Sequence, residues 1–219
     1  MGTISQQILS IVLFVAMGQA IRAARYDRAA NERDAIPSQK FLGRTMNWHR
    51  LDDGVMGGQS ETAHSVSADA DELQFSGQIN TDGGGFCSIR SPIEGGLPPD
   101  AAAVRICYVG DGKTYKVLFS DGKKSAFGPS RRSPSWQSDL PTKNGAEDTA
   151  IIRLDSLVPS LQGGPISTDT NIEPIEVKEM GFMLSLKLSR GESNPVEKFG
   201  SGIFPFSLKV RSIESVSTN

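Results

Sequence analysis

Alternating apolar and polar residues dominate the chain from Phe41 onward and predict β-strands. Residues 73–79 follow a period of two, the pattern of a strand with one buried face. Further strand candidates are 85–91, 104–109, 115–119, 150–154, 175–186 and 204–213. An apolar stripe of helical period is missing from this part of the chain, so we expect at most a turn or two of helix near 156–161.

These strands number about eight to ten, and the segments between them are rich in Gly, Pro and Asp. Segment 110–113, for example, is a short Gly-rich connection typical of a hairpin. A parallel sheet would need crossover helices, for which the chain has no suitable segment. The pattern therefore predicts an all-β fold, an antiparallel β-sandwich or jelly roll.

The amino terminus differs from the rest of the chain and predicts a separate segment. No charge precedes Arg22, and residues 8–17 are almost wholly apolar, about half the length that spans a bilayer. Residues 18–20 resemble a signal-peptide exit without its positive start, and the arginines of 22–44 partly resemble an organelle transit peptide. We assign 1–44 to targeting, or to a membrane tether through 8–21, followed by a linker. The β-sandwich domain then covers 45–217, and the compartment stays open between mitochondrion, plastid and secretory pathway.

Composition narrows the classes of function. The 219 residues carry 23 basic and 25 acidic side chains, so a nucleic acid held by the whole surface is not expected. Cys87 and Cys107 lie in apolar strand-like runs and predict buried thiols, with one disulfide between neighbouring strands as the alternative. The only histidines, His49 and His64, have no ligand spacing to a cysteine, so we predict neither a metal nor another cofactor.

The segment 48–60 is the most informative stretch of the sequence. It combines an aromatic residue, two adjacent carboxylates, a glycine-rich turn and a hydroxyl, namely Trp48, Asp52, Asp53, Gly54, Met56, Gly57, Gly58 and Ser60. Glycines permit backbone angles closed to other residues, and aspartates often cap such turns. Our main interpretation is a fixed structural corner, and the alternatives are a partner or ligand contact and a contribution to a Ca²⁺ site.

A catalytic site is not expected. Ser60 and Ser88 lack a nearby histidine with an orienting acid, so a hydrolase triad has no support. The glycines of 83–85 precede no predicted helix, so Gly84 and Gly85 are better explained by a tight turn than by a phosphate loop. The sequence therefore predicts a protein that is not an enzyme.

A basic segment with interleaved aromatic residues covers 122–136. It contains Lys123, Lys124, Phe127, Arg131, Arg132 and Trp136 but no acidic residue. It is interpreted as a solvated loop, or alternatively as a contact surface for an acidic partner, anionic lipid or RNA. Trp48 and Trp136 are expected to pack in the core or at its rim, with sugar stacking as the alternative.

Several motifs follow one another in an order that resembles the complex I intermediate-associated protein family. After Trp48 come Asp-Gly-Val-Met-Gly-Gly-x-Ser at 53–60, Phe-Ser-Gly at 75–77 and Gly-Gly-Phe-x-Ser-x-Arg at 84–90. The likeness continues through Gly-Asp-Gly-x-x-Tyr at 110–115, the segment 152–164, Met-Gly-Phe-Met at 180–183 and Pro-Phe-Ser-Leu at 205–208. It spans roughly residues 46–215.

The resemblance implies a galactose-binding-like β-sandwich that acts as an assembly factor for mitochondrial NADH:ubiquinone oxidoreductase. Family members bind incomplete membrane-arm intermediates rather than catalyse a reaction, and relatives in photosynthetic organisms are linked to plastid complexes and RNA. This chain departs from the family in three ways: it has Asp52 where Asn is common, it has no clean mitochondrial presequence, and the loop 186–201 looks longer than usual.

The partners implied by this resemblance are protein subunits or assembly factors of a membrane respiratory complex. The alternatives are a plastid or RNA-associated assembly factor and a carbohydrate-binding module, the last being favoured if Trp48 and Trp136 are exposed on one face. We expect Met56 to be a pliable apolar contact and Arg90 to pair with Asp52 or Asp53. The full set of candidate partner-binding residues is Trp48, Asp52, Asp53, Met56, Ser60, Arg90, Arg131 and Arg132.

Overall fold

The computed structural model describes residues 37–40, 46–67, 72–122, 134–161, 163–167 and 171–217. The chain divides into two compact units, Met1–Ile36 with Asn219 and Pro37–Thr218, and all the described residues belong to the second. The candidate membrane-associated segment 8–21 and the basic residues Arg131 and Arg132 lie outside the described residues.

Thirteen strands are found in the described part of the chain, and they confirm the all-β prediction. Their bounds are β1 Pro37–Lys40, β2 His49–Arg50, β3 Glu61–Ser67, β4 Glu72–Asn80, β5 Phe86–Pro92, β6 Ala101–Val109, β7 Thr114–Ser120, β8 Ser135–Pro141, β9 Glu147–Arg153, β10 Val158–Leu161, β11 Gly164–Pro165, β12 Glu179–Ser185 and β13 Ile203–Ser217. Many of these strands are short because glycine-rich or proline-rich corners interrupt them.

The strands form two antiparallel sheets. The six-stranded sheet has the order β3-β4-β13-β6-β9, with β1 also paired to β13. The seven-stranded sheet has the order β11-β10-β8-β7-β12-β5-β2. Residues 37–40, which the sequence analysis placed in the linker, therefore belong to a sheet, because Lys40 pairs with Glu214 on β13.

The core lies between the sheets and contains the apolar residues that the alternating pattern selects. On β4, for example, Leu73, Phe75 and Ile79 are fully buried. The ring of Phe75 meets that of Phe206 edge-on at 4.8 Å between centroids. Both tryptophans are also buried, each with 7% exposure, and Trp48 packs against Phe182 at 5.9 Å. They pack in the core, as expected, and provide no exposed platform for sugar stacking.

The predicted helix near 156–161 is wrong. A 3₁₀ turn occupies Leu154–Ser156, and Val158–Leu161 is a strand that pairs with β8. Pairing with a neighbouring strand gives this segment backbone hydrogen bonds, whereas an isolated helical turn of this length is unstable. Other short helical segments are the 3₁₀ turn Pro174–Glu176 and the α-helical turn Val196–Phe199, which we name α1. No helix of the described residues has the length and apolarity needed to cross a bilayer.

The two cysteines are free, which contradicts the disulfide alternative. Cys87 lies on β5 and Cys107 on β6, so they belong to different sheets. Cys87 is buried as predicted, and burial is the main cause that raises the pKa of its thiol to about 12. Cys107 is only half-buried, because its neighbours Ile106 and Tyr108 take the positions that face the core.

Candidate functional site

The glycine-rich motif folds into a tight corner that joins β2 to β3. Asp53–Met56 forms a 3₁₀ turn, and Gly57 ends it with φ of 90° in the left-handed region. The Gly57 N–H donates to the carbonyl oxygen of Gly54 at 3.2 Å, and the Gly58 N–H donates to that of Asp53 at 3.0 Å. We call residues 52–60, with the neighbouring 84–86, the carboxylate corner.

Asp53 is the centre of the carboxylate corner. Its side chain is 1% exposed and accepts four hydrogen bonds. The donors are Ser60 N at 2.9 Å, Ser60 Oγ at 2.6 Å, Gly85 N at 2.6 Å and Phe86 N at 3.3 Å. Burial by itself would raise the pKa of this carboxyl, but the hydrogen bonds outweigh it and hold the pKa below its ordinary value.

Asp52 links the two sheets from the other side of the corner. Its carboxylate accepts from the backbone N–H of Thr62 at 2.9 Å, from the Thr62 hydroxyl, and from Ser88 N at 3.4 Å. Thr62 lies on β3 of the six-stranded sheet and Ser88 on β5 of the seven-stranded sheet. The two aspartates therefore act as structural caps that hold the sheet edges together, in agreement with our main interpretation of the sequence.

Two glycines of the carboxylate corner are needed to make room for Asp53. A Cβ atom at Gly58 would stand 2.8 Å from the Cβ of Asp53 and closer still to its carboxylate. A Cβ at Gly84 would meet the same carboxylate and stand 3.0 Å from the Cα of Gly58. In contrast, a Cβ at Gly54 meets nothing within 4 Å. The glycines thus have distinct roles, and two of them enclose a buried charge.

The outer side of the corner is apolar and exposed. Met56 is 70% exposed and Val55 57% exposed, both held on the turn that Asp53 fixes. A shallow cleft runs beside them and is lined by residues that include Leu51 and Gln59. The corner therefore presents two large apolar side chains on a backbone with little freedom to move.

Further exposed apolar residues lie at the same end of the sandwich. The Leu186 N–H donates to Gly85 O at 3.1 Å, which places Leu186 next to the corner. Ile203 pairs with Asn80, whose N–H donates to Ser60 Oγ at 3.0 Å. The Asn194 N–H donates to Leu186 O at 2.7 Å, so Val196, two residues further on in α1, lies at this end as well. We call these exposed apolar side chains the apolar rim, namely Val55, Met56, Leu186, Val196 and Ile203.

The expected pairing of Arg90 with Asp52 or Asp53 is wrong. Arg90 Nη1 instead donates to Glu179 Oε1 at 3.1 Å, across the β5–β12 pair. His49 Nε2 lies 3.8 Å from the other oxygen of Glu179. The aspartates are already held by neutral N–H and O–H donors, so they have no need of the guanidinium.

The candidate partner-binding residues differ in how exposed their side chains are. Met56 is open to a partner, whereas Trp48, Asp53 and Ser60 are buried and affect a partner surface only through its shape. Val55 was not among the candidates predicted from the sequence, although it stands beside Met56 in the motif. Leu186, Val196 and Ile203 were not among them either, because only the fold brings these residues to the same end of the sandwich.

The chemistry of the corner does not favour a metal. A Ca²⁺ ion needs free carboxylate oxygens, but the oxygens of both aspartates accept hydrogen bonds from backbone and hydroxyl groups. Within the ranges that the structure describes, no three His, Cys, Asp or Glu side chains are grouped as metal ligands.

Solved structures share this fold. The family 11 carbohydrate-binding module from Clostridium thermocellum, in complex with a β-1,3-1,4-mixed-linked tetrasaccharide, is 11% identical with a TM-score of 0.53, covering 84% of this chain and 98% of that one. The family 11 module of a cellulosomal cellulase of the same organism is 13% identical with a TM-score of 0.50, covering 84% and 94%. At such identities the likeness shows the fold alone, a galactose-binding-like jelly roll.

A family assignment comes from the sequence itself. The model of the Complex I intermediate-associated protein 30 family matches residues 38–210. The chain therefore belongs to this family. No protein with a curated description matches the chain significantly.

Proposed function

We propose that this protein is a non-catalytic assembly factor that binds incomplete intermediates of mitochondrial respiratory complex I. Membership of the Complex I intermediate-associated protein 30 family supports a role in assembly of that complex. The structural observation that carries the proposal is the exposed Val55–Met56 pair, held on a turn fixed by the buried Asp53.

The apolar rim is suited to binding a protein that has not yet been fully assembled. Incomplete assemblies expose apolar surfaces that are later covered by other subunits, and a matching apolar patch can bind them in the meantime. Methionine is flexible and polarizable, so Met56 can adapt to more than one client surface. The rigid backbone beneath it keeps the entropy cost of binding low.

A binding role without catalysis agrees with the chemistry of the corner. Its two carboxylates accept hydrogen bonds from backbone and hydroxyl donors, and the pKa of Asp53 is held low. A general acid or base near neutral pH would need a raised carboxyl pKa instead. We therefore propose that the corner contributes to partner binding, both through its exposed side chains and by fixing the shape of the surface.

We further propose a mitochondrial location, in the matrix or at the inner membrane, with residues 8–21 as a membrane contact. A plastid or RNA-associated role is the second candidate from the family resemblance, and it depends on Arg131 and Arg132. A carbohydrate-binding role was favoured only if Trp48 and Trp136 were exposed on one face. Each of them is only 7% exposed, so this condition is not met.

Affinity purification of the tagged full-length protein from its native cells, followed by mass spectrometry, tests this function. Wild type is expected to recover complex I subunits or assembly factors. Met56→Asp should reduce that recovery about tenfold or more, because a charge placed in an apolar contact costs more than 1.4 kcal/mol.

Ile175→Asp is the matched control. Ile175 is 48% exposed but contacts Gly96, beyond the carboxyl end of β5 and far from the corner. This variant should recover the client normally, and both variants should keep the wild-type melting temperature. Undiminished recovery by Met56→Asp would contradict the proposed contact, as would a loss of recovery that merely follows a loss of folding.

A further inference from the structure

The outer face of the seven-stranded sheet buries a lysine. Tyr115 and Val117 on β7 face the core, so Lys116 between them points to the opposite face. It is nevertheless only 2% exposed. Burial is the main cause that lowers the pKa of Lys116 to about 8, Asp139 opposes this, and Arg90 adds to it.

Arg90 lies on the same outer face of the seven-stranded sheet as Lys116, on the other side of β12. Arg90, Gly181 and Leu118 lie side by side on β5, β12 and β7. A Cβ atom at Gly181 would stand 3.0 Å from the Cγ of Arg90, so the missing side chain lets the arginine lie over β12. Its Nη1 donates to Glu179, whereas its Nε is buried and has no hydrogen-bond partner among the residues described.

The acidic neighbour of Lys116 is already occupied. Asp139 is the cross-strand partner of Lys116 on β8, but its carboxylate accepts from Ser189 N at 2.8 Å and Ser189 Oγ at 2.9 Å. These bonds fasten the loop after β12 over the sheet. Asp139 acts on the charge of Lys116, but none of the ion pairs and hydrogen bonds found between described residues includes Lys116 Nζ.

We propose that Lys116 and Arg90 form a binding site for an oxyanion, the carboxylate or phosphate group of a small ligand. A buried ammonium without a paired anion costs several kcal/mol, which an anionic ligand would offset. The free groups are donors, Lys116 Nζ and Arg90 Nε, and donors on cations bind oxyanions strongly. The oxygens of the two nearby carboxylates already accept hydrogen bonds, those of Asp139 from Ser189 and one of Glu179 from Arg90.

The site is distinct from the carboxylate corner and does not depend on the proposed assembly role. His49 and Glu179 flank Arg90 on one side of the site, and Asp139 flanks Lys116 on the other. The loop fastened by Ser189 follows β12 directly and is held beside Lys116 by the bonds to Asp139. We infer that this loop covers the ligand.

The test is NMR of the full-length protein with ¹⁵N-labelled lysine side chains. The pKa of Lys116 is measured in sodium chloride, then with inorganic phosphate or acetate added at the same ionic strength. We expect at least one anion to raise this pKa by about one unit, because a bound anion stabilises the ammonium. The two anions distinguish a phosphate ligand from a carboxylate ligand. Lys143, which is exposed and paired with Asp148, is the internal control and should not shift.

Thermal unfolding of variants provides a second readout. The effective anion should raise the melting temperature of wild type and of Lys143→Met, but not that of Lys116→Met or Arg90→Met. Methionine is apolar and similar in length, so the buried lysine site should still fold. The proposal is overturned if neither anion moves the pKa of Lys116. It is also overturned if Lys143 shifts as much, which would indicate general screening of charge.

Discussion

At the scale of single residues, the family motif is explained by one buried carboxylate. Asp53 has four donors around it, and Gly58 and Gly84 leave the space that its oxygens fill. Ser60 contributes two of the four donors, which explains the hydroxyl at the end of the motif. The motif therefore holds one buried carboxylate in place. This carboxylate fixes the turn on which the exposed Met56 lies.

The glycines of the motif allow a matched test. Gly58→Ala should destabilise the protein by about 1–3 kcal/mol, because its Cβ overlaps the Asp53 side chain. Gly54→Ala, only four residues away, should leave stability nearly unchanged, because its Cβ meets open space. Urea unfolding of both variants measures the difference. Equal effects would show that general backbone freedom, rather than room for the carboxylate, explains these glycines.

The sequence predicted this corner in part. Its glycine and aspartate content indicated a fixed turn with capping carboxylates, because those residue types act locally. It could not indicate that Asp53 reaches Gly85 and Phe86, since those donors are more than thirty residues away. The pairing predicted for Arg90 was wrong for the same reason. The register of β5 and β12, which the sequence does not reveal, brings Arg90 to Glu179.

At the scale of elements, the two aspartates connect strands of different sheets. Asp52 joins β3 to β5, and Asp53 joins the residues that directly precede these two strands, Ser60 and Gly85. Such contacts oppose the separation of the sheet edges at this end of the sandwich. Their strength depends on the negative charge, because hydrogen bonds to a carboxylate are stronger than those to a neutral group.

This connection should weaken in acid. The pKa of Asp53 is below its ordinary value of 3.8 in the folded protein, so the unfolded chain takes up the proton first as pH falls. The stabilisation is therefore complete above about pH 4 and is lost as pH falls through the folded pKa. Asp53→Asn should be less stable at pH 7 by about 2–3 kcal/mol, since it removes a charged acceptor.

The same variant should lose less stability than wild type between pH 5 and pH 2, measured by unfolding at each pH. Asp100→Asn, which changes an exposed carboxylate, is the control and should follow the wild-type curve. A parallel acid loss in wild type and Asp53→Asn would show that other carboxylates cause it.

Elements with a clear period of two were predictable, because burial of one face repeats along each strand. The strands β4, β6 and β7 fall where the pattern placed them. The segment 156–161 was not predictable in this way. Its short apolar run fits either a helix or a strand, and the partner β8 decided the outcome.

At the scale of the whole molecule, the two ends of the sandwich differ. The apolar rim occupies the end where β4 stops and β5 and β13 begin. The strand β1 pairs with residues 214–216 of β13, toward that strand's far end from Ile203. The apolar rim and β1 therefore lie toward opposite ends of β13.

Fold class and family could be recognised from the sequence, because both depend on patterns spread over the domain. The apolar rim could be recognised only in part, because Leu186 comes next to the corner only through its hydrogen bond with Gly85, a hundred residues earlier in the chain. The site at Lys116 gave no sequence signal, since a lysine within an alternating strand usually faces solvent.

Photo-crosslinking tests the central claim most directly. A photoreactive phenylalanine analogue replaces Met56 in one full-length variant and Ile175 in another, each expressed in the native cells and irradiated. We expect crosslinks from position 56 to a membrane-arm subunit or assembly factor of complex I, with few or none from position 175. Crosslinks of equal yield from both positions, or crosslinks to complex I proteins from position 175 alone, would contradict it.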